Sequence, residues 1–153
     1  MANSFTQLYV QMVFAVKNRQ SLIFDENKDR IEKYICGIAE NIKCDPIKIY
    51  CNPDHTHLLV SMKPVVSIAN AIRDIKSFSS RFINENRLMK SRFEWQTGYG
   101  AFTYGQSQIN QLKEYITNQG NHHKKRKFKE EYIALLEAFE IDYDETYLFD
   151  WLD

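Results

Sequence analysis

Ile47-Lys48-Ile49-Tyr50-Cys51, Asn52-Pro53-Asp54, His55-Thr56-His57-Leu58-Leu59-Val60-Ser61-Met62 is the stretch on which the fold turns. β-Branched, aromatic and apolar residues on both sides of an Asn-Pro-Asp turn read as two strands tightly joined, a β-hairpin. Along the second arm successive side chains alternate between faces, so Thr56, Leu58, Val60 and Met62 share one face and His55 and His57 the other. The first set looks toward a core, which assigns the two histidines to an open face.

Working outward, Ile31, Tyr34, Ile35, Ile38, Ala39 and Ile42 form the stripe of an amphipathic helix that starts after Asp25, a plausible cap, and ends before Pro46. Leu8 to Val16 reads as a buried first strand. Downstream, Ser67 can cap a helix whose stripe Ile68, Ala71, Ile72, Ile75, Phe78, Phe82 and Ile83 lasts to about Asn84–Asn86. Gly98, Gly100 and Gly105 bracket a short strand around Ala101 to Tyr104. Ser107 can cap a third helix over about 107–119, with Gly120 as its stop. A last helix from about Lys127 carries Phe128, Tyr132, Leu135, Leu136 and Phe139, and an acidic tail follows over about 140–153. The order β-α-β-β-α-β with added C-terminal helices predicts an α+β, ferredoxin-like (RRM-like) antiparallel sheet, a single domain over 1–153. Helices are expected on one sheet face, leaving the other for a partner or a site. Fold alone does not decide function.

With 153 residues, 44% hydrophobic and 14% aromatic, the chain can bury one sizeable core. No basic segment leads into an apolar run and no eighteen apolar residues occur in succession, so a soluble, cytoplasmic protein is expected, with no membrane partner. Cys36, Cys44 and Cys51 are odd in number without a Cys-x-x-Cys pair, which argues for reduced thiols rather than a disulfide framework. The zero formal charge conceals a polarity: residues 60–129 hold 13 Lys+Arg against 4 Asp+Glu, and residues 130–153 hold 9 acids and no base. A basic middle interleaved with Phe78, Phe82, Phe93, Trp95 and Tyr99 can hold phosphates and stack unpaired bases, unless those aromatics are core.

Two imidazoles a strand-step apart can grip one divalent ion, although His-x-His also describes two ordinary surface histidines. Tyr115 lies at the edge of the stripe Ile109, Leu112, Ile116, with Gln119 one turn on and on the same side. A phenol and an amide stacked in this way can meet one metal site, and equally can be a packed tyrosine beside a polar neighbour.

The sequence resembles the HUH single-tyrosine (TnpA-like) transposases of the insertion-sequence group numbered two hundred and six hundred and five. The resemblance rests on Pro53-Asp54-His55-Thr56-His57-Leu58-Leu59-Val60, Trp95 to Phe102, Tyr115-Ile116-Thr117-Asn118-Gln119, His122-His123-Lys124-Lys125 with Phe128 to Tyr132, and Tyr143 to Tyr147. It implies Tyr115 as nucleophile, His55, His57 and Gln119 as metal ligands, and Mg²⁺ or Mn²⁺ as the ion. It further implies single-stranded DNA with hairpin ends as substrate, a 5′-phosphotyrosine intermediate, and a homodimer whose active sites are shared between subunits. Thr56 departs from the large apolar residue usual between the histidines; its side chain points away from the site, so little loss of activity is expected. Phosphate contacts are assigned to Arg73, Lys76, Arg81, Lys124, Lys125, Arg126 and Lys127. The alternatives are a catalytically silent nucleic-acid-binding regulator, against which retention of all four site residues argues, and a small zinc hydrolase with Asp54 as the near carboxylate.

Overall fold

A computed structural model describes residues 3–152. Strand β1 (Tyr9–Ala15) leads to helix α1 (Asp25–Asn41), the hairpin β2 (Cys44–Cys51) and β3 (His55–Met62), helix α2 (Ile68–Glu85) and strand β4 (Gly100–Tyr104). Three helices complete it: α3 (Ile109–Thr117), α4 (Gln119–Lys125) and α5 (Phe128–Ala138). The sheet is antiparallel in the order β2-β3-β1-β4, the ferredoxin-like plan. Pro46 falls inside β2 rather than before it; β2 is an edge strand with a register shift between Pro46 and Lys48, where a missing N–H is tolerated.

Local chemistry sets most boundaries. The Ser67 hydroxyl accepts from the Asn70 N–H at 3.1 Å and so caps α2. Asp25 is instead the first residue of α1, with Phe24 in the capping position, and its carboxylate favours the helix through the dipole. The third helix begins at Ile109, after a 3₁₀ turn over Gln106–Gln108 in which the Gln108 side chain, rather than Ser107, closes on the Gly105 N–H at 2.9 Å. The chain breaks at Asn118 (φ −94°, ψ 18°), and Gly120 lies within α4 instead of stopping a helix.

The alternation read from the hairpin places Leu58, Val60 and Met62 in the main core with Val10, Met12 and Phe14 of β1, beneath α1 and α2. The other face is not open. Val13, Ala15 and Phe102 pack against Phe128, Tyr132 and Leu136 of α5 and Phe149 of the tail, while Leu59 packs against Ile109, Leu112 and Ile116 of α3. The expectation of a one-sided sheet fails because both these helices carry apolar stripes that need a surface, and the sheet offers one. Phe93 and Trp95 also belong to the core, Trp95 donating its indole N–H to Ser79 at 2.9 Å, so neither is a base-stacking platform. The tail is held to the body by Gln96, which donates to the Asp150 carbonyl at 2.8 Å and accepts from its N–H at 2.7 Å. Among the described residues no helix is long and apolar enough to cross a membrane.

Candidate active site and metal centre

His55 and His57 point, as the alternation requires, to the face opposite Leu58, but there they are fully buried under the C-terminal helices. Each ring is held through Nδ1. His55 Nδ1 donates to Asp54 Oδ1 at 2.7 Å, and His57 Nδ1 donates to Gln11 Oε1 at 2.7 Å, the Gln11 amide nitrogen donating in turn to Tyr104 Oη at 2.7 Å. With Nδ1 held in this way, each ring turns its Nε2 inward, and that of His55 lies 3.1 Å from Asn52 Nδ2. Phe128 stacks flat on His55, with ring centroids 3.7 Å apart, and fixes its plane.

Two residues without an assigned role complete the cluster. Glu131 of α5 brings Oε1 to 3.2 Å from His55 Nε2, 3.1 Å from His57 Nε2 and 3.0 Å from His123 Nε2 of α4. Its other oxygen accepts from the Tyr115 hydroxyl and, at 3.0 Å, from Gln119 Nε2. Gln119 Oε1 accepts from Asn52 Nδ2 at 3.0 Å and lies 3.0 Å from His123 Nε2. Tyr115, Gln119, His55 and His57 are thus brought together within one chain. The blocks containing His123 and Glu131 were legible as resemblance, but neither residue stands at a periodic spacing from the His-x-His pair. Gln11 had a signal of its own, a lone amide in the apolar run Tyr9-Val10-Gln11-Met12-Val13.

The electrostatics are those of a buried anion ringed by imidazoles. Burial disfavours the Glu131 carboxylate, yet His123, His55 and His57 hold it far below the usual range. For His55, burial opposes the charge but Asp54 and Glu131 outweigh it and raise its pKa; for His57, burial prevails and lowers it. Burial first, and then the negative charge of Glu131, push the Tyr115 phenol well above its ordinary value. His55, His57, His123 and Glu131 offer ligand atoms all within 4.8 Å of one another. Converging imidazole lone pairs and a buried carboxylate oxygen are a donor set that a divalent cation fits.

The expected phosphate-binding residues separate into two groups. Arg73, Lys76 and Arg81 lie on α2, on one side of the sheet, while Lys124 and Lys125 at the end of α4, and Arg126 and Lys127 in the link to α5, are exposed on the other, beside the site. Arg73 pairs with Asp74 at 3.1 Å, and Lys76 donates to the carbonyls of Gln96 and Gly98 at 2.8 and 2.5 Å, tying down that loop. Arg81 lies over the Phe78 ring. Cys51 takes no part in the centre; its sulfur accepts from the Thr56 hydroxyl at 3.3 Å within the main core.

A ferredoxin-like sheet with a His-x-His strand facing a tyrosine-bearing helix is the arrangement that the resemblance to the HUH single-tyrosine transposases implies. The chain belongs to the family described as transposase IS200 like, whose sequence model matches residues 4–119, and is by that membership a DNA transposase. It is similar to the ISDra2 transposase TnpA of Deinococcus radiodurans, with 26% identity over 118 residues, 74% of this chain and 84% of that protein. In fold it resembles a candidate transposase from the same organism, with a TM-score of 0.63 and 22% identity, covering 78% of this chain and 95% of that one. It also resembles a REP-associated tyrosine transposase solved bound to a REP hairpin, with a TM-score of 0.60 and 12% identity, covering 80% and 73%. The family match ends at Gln119, so His123 and Glu131 lie beyond it.

Proposed function

We propose that this transposase cuts and rejoins single-stranded DNA at insertion-sequence ends through a 5′-phosphotyrosine intermediate, in a divalent-metal-dependent reaction. The observation that carries the reading is the meeting of the Tyr115 hydroxyl with the carboxylate that the three imidazoles surround. Tyr115 Oη forms a bond to the scissile phosphorus as the bond to the 3′ oxygen breaks, leaving a free 3′-hydroxyl that ends with the proton the phenol gives up. The ester retains the phosphodiester energy, so the 3′-hydroxyl of another strand can reverse the step and join new ends.

Glu131 holds the phenol in place and, by its charge, keeps it protonated until substrate arrives. Gln119 fixes the second carboxylate oxygen. Phe128, Tyr132 and the tail exclude water from the imidazole side. Held by His55, His57 and Gln119, Mg²⁺ or Mn²⁺ would supply positive charge that offsets Glu131, favours the phenolate and polarises a phosphate oxygen. A hairpin-bearing DNA end is the substrate this reading implies, in keeping with the fold neighbour that binds a hairpin. The exposed bases Lys124 to Lys127 flank the site where such a strand would run.

The test is incubation with hairpin-bearing single-stranded DNA from the element's ends, read on a denaturing gel. Wild type should give a covalent adduct that maps by mass spectrometry to the peptide containing Tyr115. Tyr115→Phe should fold and bind DNA but give neither adduct nor strand transfer, while Tyr132→Phe keeps both. An adduct that survives in Tyr115→Phe would overturn the assignment.

A further inference from the structure

We propose that His123 and Glu131 are metal ligands together with His55 and His57, making a three-imidazole, one-carboxylate centre that prefers a first-row transition ion such as Mn²⁺ to Mg²⁺. The inference rests on the metal dependence proposed above and changes its ligand set: His123 and Glu131 take the place of Gln119, whose amide stays bonded to Asn52 and Glu131. Three Nε2 atoms lie within 3.0–3.2 Å of one carboxylate oxygen, and they come from two elements far apart in sequence, β3 and α4. The break at Asn118 makes this possible: it starts a new helix at Gln119, and His123, four residues on, lies one turn along that helix on the same side.

Glu131 is 1% exposed, and its side-chain partners are His55, His57, His123, Gln119 and Tyr115, none of them a lysine or arginine. A buried carboxylate without a permanent cation calls for a positive charge at the point where the imidazoles converge. The ligand types then select the ion. Mg²⁺ favours oxygen ligands in octahedral array and keeps its waters, whereas imidazole nitrogen suits the later divalent ions. One oxygen of Glu131 would serve the ion while the other keeps its contact with Tyr115, so a single carboxylate links the centre to the nucleophile.

Metal-free full-length protein titrated calorimetrically with Mn²⁺ and with Mg²⁺ tests the proposal, together with pulsed electron paramagnetic resonance of the bound Mn²⁺. Wild type should bind Mn²⁺ at least about tenfold more tightly than Mg²⁺, and His123→Ala and Glu131→Gln should each weaken Mn²⁺ binding by at least about 10–100-fold, as even the loss of an outer-shell partner does. The resonance should count three coordinated imidazole nitrogens in wild type and two in His123→Ala. If His57→Ala alone loses the ion, or wild type shows two nitrogens, the centre is a two-histidine site and the inference fails while the proposed reaction stands. If wild type binds neither ion, the metal-dependent reading fails with it. The nitrogen count in wild type decides the matter even if a variant does not fold.

Discussion

Gln11 is the residue whose role changes most between the chain and the folded molecule. Its amide stands in an otherwise apolar strand, fully buried, spanning His57 Nδ1 on one side and the Tyr104 hydroxyl on the other. A ligand imidazole keeps its orientation and tautomer through its second nitrogen, so if His57 holds the proposed ion, Gln11 contributes by aiming its ring. Gln11→Leu fills similar space but removes the acceptor. Divalent-ion affinity measured by calorimetry should fall about 10–100-fold, with the far-ultraviolet spectrum unchanged. An unaltered affinity would mean that burial alone orients the ring. Thr56, the departure from the usual apolar residue, needs no such compensation, because its hydroxyl finds Cys51 Sγ on the core side.

At the level of elements, two glycines with the same apparent freedom have opposite tasks. A Cβ on Gly100 in β4 would stand 2.6 Å from Tyr132 Oη and 2.8 Å from its ring Cε1, so the absent side chain is what lets α5 lie this close to the sheet. Gly100→Ala should destabilise by about 1–3 kcal/mol through overpacking. A Cβ on Gly120 would meet Tyr50 Oη at 2.8 Å, but that is the free end of a partly exposed ring, and the nearest ring carbon is 3.8 Å away. Ala is favoured over Gly by about 1 kcal/mol within a helix, so Gly120→Ala should be near neutral or stabilising. Urea unfolding of both variants checks the contrast. Equal losses at the two positions would show that α5 does not depend on close approach to β4. Since Glu131 rides on α5, Gly100→Ala should also disturb the centre.

For the molecule as a whole, Tyr115 meets the histidine and carboxylate cluster of its own chain. Helix α3 is fastened there by Ile109, Leu112 and Ile116 packing with Leu59 of β3, and the phenol reaches Glu131 without a second subunit. The family resemblance implies instead a homodimer in which the tyrosine helix of one subunit serves the histidines of the other, so the contact within one chain and the exchanged arrangement are two distinct ways to join the proposed nucleophile to the histidines. Mixing Tyr115→Phe with His57→Ala protein distinguishes the two arrangements. We expect no recovery of cleavage, because each subunit would lack one half of its own site. Recovery would require α3 to leave its chain and serve a partner. Of the two basic groups, on opposite sides of the sheet, Lys124 to Lys127 lie on the side of Tyr115.

The chain by itself determined whatever depends on local repetition. Period-two alternation in His55 to Met62 set both histidines on one face, helical spacing gave α1 and α2, and Ser67 and the Asn-Pro-Asp turn marked their junctions. The pairing of Tyr115 with Gln119 was legible for the same reason, as one turn of helix. What only the tertiary structure decided was which remote residues enter that local frame. Glu131 lies 74 residues from His57 in sequence and His123 belongs to a separate helix beyond the break at Asn118, so no periodicity links them to the hairpin. The burial of the histidine face was hidden too, because an apolar stripe on α3 or α5 announces that it needs a partner without saying which surface supplies it. Packing of those stripes against the second face of the sheet is what turned two candidate surface imidazoles into the walls of an enclosed, anionic centre.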